Sequence, residues 1–298
     1  MNYDFSSGIE LIKLCDEAGI KISEAMIRRE EQISESTREQ IIAEMQRDLR
    51  VMRESVKKGL TEKFQSVSRL SGGEAMTLYR YADFGPLSGS ETCHAAAAAM
   101  AVVEVNAAMG RIVAAPTAGA SGILPAVLLE CGHSKGWNDD KLVEGLFCAG
   151  AIGLLFAKNA TISGAEGGCQ AETGVASAMA AAALVELSGG EPLHCLDAAA
   201  IAIKNIEGLV CDPVAGLVEC PCIKRNGMGA ANAMLSADMA LCGITSLIPF
   251  DEVVSSMYIV GREIRPEYRE TAKGGLAATP TGKLIAAGIK RMNGRRED

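Results

Sequence analysis

The chain has 298 residues, 48% hydrophobic but only 4% aromatic, which is ample for one large core or two modest ones packed from small aliphatic side chains. A formal net charge of −8, with no basic stripe, gives no bulk attraction for nucleic-acid backbones or anionic membranes and argues against both as partners. The N-terminal "MNYDFSSGIE" lacks the basic-then-apolar order of a signal peptide. The most apolar segments, 95–109 and 142–157, are broken or bounded by Glu104, Glu144 and Lys158, short of the roughly 18 residues a membrane span needs.

In chain order, residues 1–60 are charged and read as helices. Ser6 or Ser7 is placed to cap a helix ending near Gly19, and Ser36 or Thr37 to cap a longer one that stops before Gly59. In the latter, Ile41, Met45, Leu49, Met52 and Val56 form one apolar stripe. From residue 71, glycine-bearing loops alternate with Ala-rich segments such as "AAAAAM" (95–100) and "AMAAAAL". Helices are predicted over 90–109, 122–134, 139–158, 171–188, 193–207, 228–243, 251–263 and 281–292, with Gly110, Gly136, Gly189 and Gly208 as stop signals. No alternating β-branched pattern persists. The expectation is a single all-α catalytic domain, 1–298, in which a helical extension (1–60) packs on the body (61–298).

Three loops place Gly, Ser or Thr ahead of an apolar run: "LSGGEA" (70–75), "APTAGASGILPAVLL" (115–129) and "SGAEGGCQAETG" (163–174). Such loops expose backbone N–H groups at a helix N-terminus, where a small acid can bind. None is a P-loop or a dinucleotide fingerprint.

Ten cysteines are too few for a disulfide scaffold and suit a reducing, cytoplasmic setting. Cys15, Cys148 and Cys242 lie on apolar helical segments and read as core, Cys131 and Cys195 as structural, and Cys93 as core or capping. Cys169, Cys211, Cys220 and Cys222 fall in Gly/Pro-containing loops, in a stretch, "CDPVAGLVECPCIKRN", too broken for a helix. Thiols so placed can converge on zinc or an iron–sulfur cluster. Their spacing matches neither a zinc ribbon nor a ferredoxin and leaves the metal open.

The motifs "LSGGEA", "PTAGASG", "GCQAETGVASAMAAA" and "CDPVAGLVECPCIKRNGMGA", in this order, resemble the alpha chain of bacterial iron–sulfur-dependent L-serine dehydratase (L-serine ammonia-lyase). The resemblance implies an all-helical catalytic part carrying a [4Fe–4S] cluster on three cysteines, with the fourth iron left for substrate. By motif these are Cys169, Cys211 and Cys222; Cys220 falls where relatives carry another residue. It also implies a separate beta subunit as partner. Some single-chain relatives end in a cysteine that caps the open iron, whereas this sequence ends "NGRRED".

Serine dehydration needs a Lewis acid for the departing hydroxyl and a base for the Cα proton. The candidates for the base are His94, Glu166 and Glu172; His133 and His194 read as structural residues at a helix end and a helix start. The substrate carboxylate is expected on Ser71, Gly72 and Gly73 and on Thr117, Ala118, Gly119, Ala120, Ser121 and Gly122, assisted by Arg225 or Lys224. Asn226 can bond substrate or cap the next helix. No lysine context or α/β pattern suits pyridoxal phosphate. The rival readings are a closed zinc or redox module that uses Cys220 as fourth ligand, a non-catalytic helical scaffold, and the same lyase chemistry on threonine.

Overall fold

The computed structural model describes residues 1–294; the tail that carries the "RRED" ending, and with it the expectation about a capping cysteine, lies outside the described residues. Among the described residues there are thirteen α-helices and no β-strand, so the all-α expectation holds. Among the described residues no helix is long and apolar enough to cross a membrane.

Three N-terminal helices, α1 (Gly8–Ala18), α2 (Ile22–Ile33) and α3 (Arg38–Thr61), follow the sequence signals closely. Ser7 caps α1 and Gly19 closes it in the left-handed region at φ 63°. Thr37 and Gln40 form a capping box at the start of α3. The predicted stripe is buried at Leu49, Met52 and Val56 and packs against the later helices, each side chain contributing about 1.5–3 kcal/mol of transfer free energy. Gly59 does not stop α3, which runs on to Thr61. A Cβ at Gly59 would lie 2.4 Å from the Ala101 carbonyl oxygen, so the glycine permits close helix contact instead.

The body comprises α4 (Glu74–Tyr81), α5 (Ser90–Ala107), α6 (Ile123–Lys135), α7 (Asp139–Asn159), the single turn α8 (Gly164–Gly167), α9 (Val175–Leu187), α10 (Pro192–Lys204), α11 (Cys222–Leu241), α12 (Phe250–Glu263) and α13 (Pro280–Gly294). Every residue of α9 is buried, and α6, α7, α10 and α11 surround it. An alanine-rich helix can be encased on all sides because its neighbours approach closely. His133 lies in the last turn of α6, and His194 completes a capping box with Glu191 at the start of α10. Cys15, Cys93, Cys131, Cys148 and Cys195 are buried free thiols. Cys242 is exposed: it stands just past the end of α11, where the helix leaves the core.

Two buried glutamates act as caps at a distance. Glu104 of α5 accepts N–H bonds from Gly73 (2.9 Å), Glu74 (2.9 Å) and Ala75 (3.1 Å) at the start of α4. Glu186 of α9 accepts the Ser23 N–H at 3.3 and 3.1 Å, capping α2, whose Lys21 forms no side-chain cap. Burial raises the Glu186 carboxyl above its ordinary 4.5, partly offset by its bonds from Ser23. The folded chain therefore holds that proton more tightly than the unfolded chain does. Its contribution is full below pH 4.5 and is lost as pH rises through the raised folded value. Denaturant titrations of wild type and Glu186→Gln at stepped pH should show the wild type losing ground to the variant as pH rises from about 4.5; a stability difference that does not change with pH would refute this.

Candidate metal centre and active site

Cys169 is presented by an unusual junction. After α8, Gly168 adopts φ +76°, and a Cβ there would stand 2.7 Å from the Leu209 carbonyl oxygen, so only glycine fits. Cys169 follows, and the chain enters α9 through a wide π turn, Gln170–Gly174, a deviation typical of functional sites. Fully buried Gln170 anchors the turn: its amide donates to the Met257 carbonyl at 2.8 Å, and its side-chain oxygen accepts from the Gly208 N–H at 2.8 Å. Glu172 lies in the same turn.

Cys211 comes from an extended segment pinned by a C-terminal strap. Its N–H donates to Tyr268 O at 2.8 Å, and its carbonyl accepts from Glu270 N at 2.7 Å. Asp212 accepts from Leu276 N at 2.8 Å, further along the strap. Cys222 is the first residue of α11. The predicted 228–243 helix thus begins six residues early, and only the part of the cysteine-rich stretch before Cys222 is irregular.

The sulfurs of Cys169 and Cys211 and a Glu172 carboxylate oxygen all lie within 4.8 Å of one another, with Cys211 Sγ 3.8 Å from Glu172 Oε2. A Cβ at Gly164 would sit 2.4 Å from Glu172 Oε2 and 3.3 Å from Cys211 Sγ, so α8 closes one wall of the group. Cys222 is 8% exposed and within electrostatic reach of Cys169 and Glu172. Cys220 is exposed.

Arg225, in the first turn of α11, supplies the compensating charge. It donates to Cys169 Sγ at 3.4 Å, to the Val210 carbonyl at 2.8 Å and to Asp212 at 2.9 Å. The Cys211 thiol, and then Arg225, hold Cys169 below the ordinary thiol range against the cost of burial. The same pairing, together with burial, pushes Cys211 up. Burial, reinforced by the charges of Cys169 and Glu172, pushes Cys222 up to about 12. Burial also raises Glu172, against the bond from Thr117 Oγ1 to its Oε1 at 2.7 Å. A cationic setting for clustered, buried thiols suits a soft metal.

Several residues read as substrate-binding are engaged within the protein. Arg225 is turned onto Cys169, and Lys224 pairs with Glu74 at 2.5 Å. Ser71 Oγ donates to Glu219 at 2.5 Å, as does Ser68 Oγ, and the Gly73 N–H is held by Glu104. Fully buried Asn226 accepts from Gly122 N at 3.0 Å and donates to the carbonyls of Gly119 (2.7 Å) and Cys222 (2.9 Å), lacing the 117–122 loop to α11. In that loop Ala120 N and Ser121 N bond back to Thr117 and Ala118. Ala118 and Gly119 N–H find no acceptor among the described residues, and Gly119 borders Glu172. His94 lies elsewhere, 3.3 Å from Asp83 and against the Tyr79 ring. Glu166 accepts from Thr161 Oγ1 at 2.6 Å and faces a separate cleft. Asp212 and Glu219 were not read as site residues, although both stand beside the loop cysteines in the sequence.

Buried thiols and a carboxylate, presented by loops of an all-helical body and balanced by an arginine, define a protein whose centre is compatible with a thiolate-held metal. A family model described as serine dehydratase alpha chain matches residues 17–277, and the chain belongs to that family. It is 52% identical over 277 residues to the probable L-serine dehydratase, alpha chain, of Bacillus subtilis, covering 93% of this chain and 92% of that protein. It is 46% identical to the L-serine dehydratase, alpha chain, of Peptoniphilus asaccharolyticus, covering 93% and 95%. With the L-serine dehydratase TdcG of Escherichia coli it shares 40% identity over 282 residues, 92% of this chain but 62% of that longer protein.

Asn226→Ala removes the side-chain partner of the Gly122 N–H and of the Gly119 carbonyl. Its expected cost is about 1–3 kcal/mol for each group left buried and unsatisfied, read as a lower denaturation midpoint. An unchanged midpoint would show that Asn226 does not hold the loop.

Proposed function

We propose that this chain is the catalytic subunit of an enzyme that converts L-serine to pyruvate and ammonia, with a [4Fe–4S] cluster on Cys169, Cys211 and Cys222 and a separate beta chain as partner. The observation that carries this reading is the convergence of Cys169, Cys211 and Glu172 in a chain matching the serine dehydratase alpha family over residues 17–277. The donor set fits: three buried thiols come from the junction before α9, the strapped segment at 211 and the first residue of α11, beside a guanidinium that offsets thiolate charge. Exposed Cys220 supports a three-cysteine centre over a closed four-thiol module. When bound, such a cluster supplies an iron with an open position as Lewis acid for the β-hydroxyl.

The chain's own residues do the rest. The free N–H groups of Ala118 and Gly119 receive the substrate carboxylate, as small-residue loops do. Glu172 is the base for the Cα proton. Its Oε1 is fixed by Thr117, and its raised affinity for a proton brings it nearer to working pH than an exposed carboxylate. Arg225 and Asn226 position the ligand loop and the carboxylate loop without touching substrate. Loss of water gives aminoacrylate, which tautomerises to the imine; water then hydrolyses the imine to pyruvate and ammonia.

The decisive experiment is anaerobic purification with the partner chain, followed by iron and sulfide analysis and a pyruvate assay on L-serine. Cys169→Ala, Cys211→Ala and Cys222→Ala should each lose iron and activity, whereas Cys220→Ser keeps both. Wild-type turnover by any of the three alanine variants would reject the ligand set. Glu172→Gln should lower kcat on the order of 10²- to 10⁴-fold with iron content unchanged; full activity would remove Glu172 as the base.

A further inference from the structure

A second concave site adjoins the thiol centre across α8. Gly164 of α8 faces Glu172 and Cys211, whereas Glu166 and Gly167 face an open cleft of about 590 Å³. Its polar lining is Thr161, Glu166, Tyr258, Arg262, Arg269 and Thr271, contributed by α8 and its approach, α12 and the strap. The volume lies within the range of small-molecule sites.

The charges in the cleft are unbalanced. Arg269 donates one Nη1 bond to the Glu166 carbonyl at 3.3 Å, but its Nε is buried with no hydrogen-bond partner. A guanidinium N–H so placed lacks the acceptor that buried donors nearly always have. Arg262 bonds only the Tyr258 hydroxyl, at 3.2 Å, and stacks on its ring, leaving its other donors open. Two guanidinium groups thus line one cleft in a chain of net charge −8. On the α8 side, Glu166 uses one carboxylate oxygen to accept from Thr161 and has the other to spare. Guanidinium donors pair naturally with a carboxylate, and a free carboxylate oxygen pairs with an ammonium.

We propose that this cleft is a binding site, distinct from the thiol centre, for a small α-carboxylate. Arg262 and the unpaired Nη2 of Arg269 hold the carboxylate, and Glu166 holds the ammonium when the ligand is an α-amino acid. This inference does not depend on the lyase reading, because it concerns binding and not turnover. Isothermal titration of the anaerobically reconstituted enzyme with its partner chain tests it, using L-alanine and pyruvate, neither of which carries a β-hydroxyl to eliminate. L-alanine should bind saturably, and binding should survive Cys169→Ala, which removes a cluster ligand. It should weaken at least about tenfold in Arg262→Ala, in line with the loss of a charge-assisted hydrogen bond. Arg262→Glu should weaken it further by reversing the charge at an exposed, fold-tolerant position. Pyruvate should bind more weakly than L-alanine; equal affinities would overturn the role given to Glu166. The site is disproved if neither probe binds saturably, or if binding is lost in Cys169→Ala and unchanged in Arg262→Ala.

Discussion

The structure depends on giving a cluster of buried sulfurs a cationic partner away from bulk water. A buried thiolate is costly unless a cation and hydrogen bonds accompany it, and Arg225 does this for Cys169. The guanidinium is itself oriented by Asp212 and the Val210 carbonyl, and Asp212 is held in turn by the strap at Leu276. The loop before α9, the start of α11 and the segment after α12 are therefore tied into one charge-balanced unit. A lysine could not span these three partners, because only guanidinium offers a rigid fork of donors.

Buried glutamates form a second theme. Glu104, Glu186 and Glu219 are each more than nine-tenths buried, and each fastens backbone N–H groups or hydroxyls from a distant segment. A carboxylate at the start of a helix satisfies the same exposed donors that an anionic ligand would. For this reason the "SGGEA" loop, which has the look of an anion site, is occupied by the protein's own Glu104, while the 117–122 loop keeps two donors free.

Much of the helical framework was legible from local chemistry. Ser7 and Gly19 bound α1 as their residue types imply, Thr37 starts α3, and the alanine runs of α5 and α9 are buried as dense helix packing requires. The helix-boundary errors share one physical origin. Asn226, Gly227 and Gly229 are poor helix formers, yet α11 runs through them: Asn226 spends its amide on tertiary partners, and Gly229 sits where a Cβ would lie 2.5 Å from Ile123. Gly59 was misread in the same way. Of the candidate bases, Glu172 joins the thiols because the π turn shifts its register, which no spacing rule reveals. His94 is turned toward Asp83 and Tyr79, and Arg225 toward sulfur. Sequence could nominate these residues but could not say which way each faces.

The strap has a consequence for biosynthesis. Cys211 is fixed by Tyr268 and Glu270, and its neighbour Asp212 by Leu276, so the pocket is finished only by residues made well after its sulfurs. A nascent chain still tethered to the ribosome at α12 would have all three sulfurs synthesised but one of them unbraced. The bracing of the thiol centre therefore lags behind the synthesis of its sulfurs and is set by late tertiary docking.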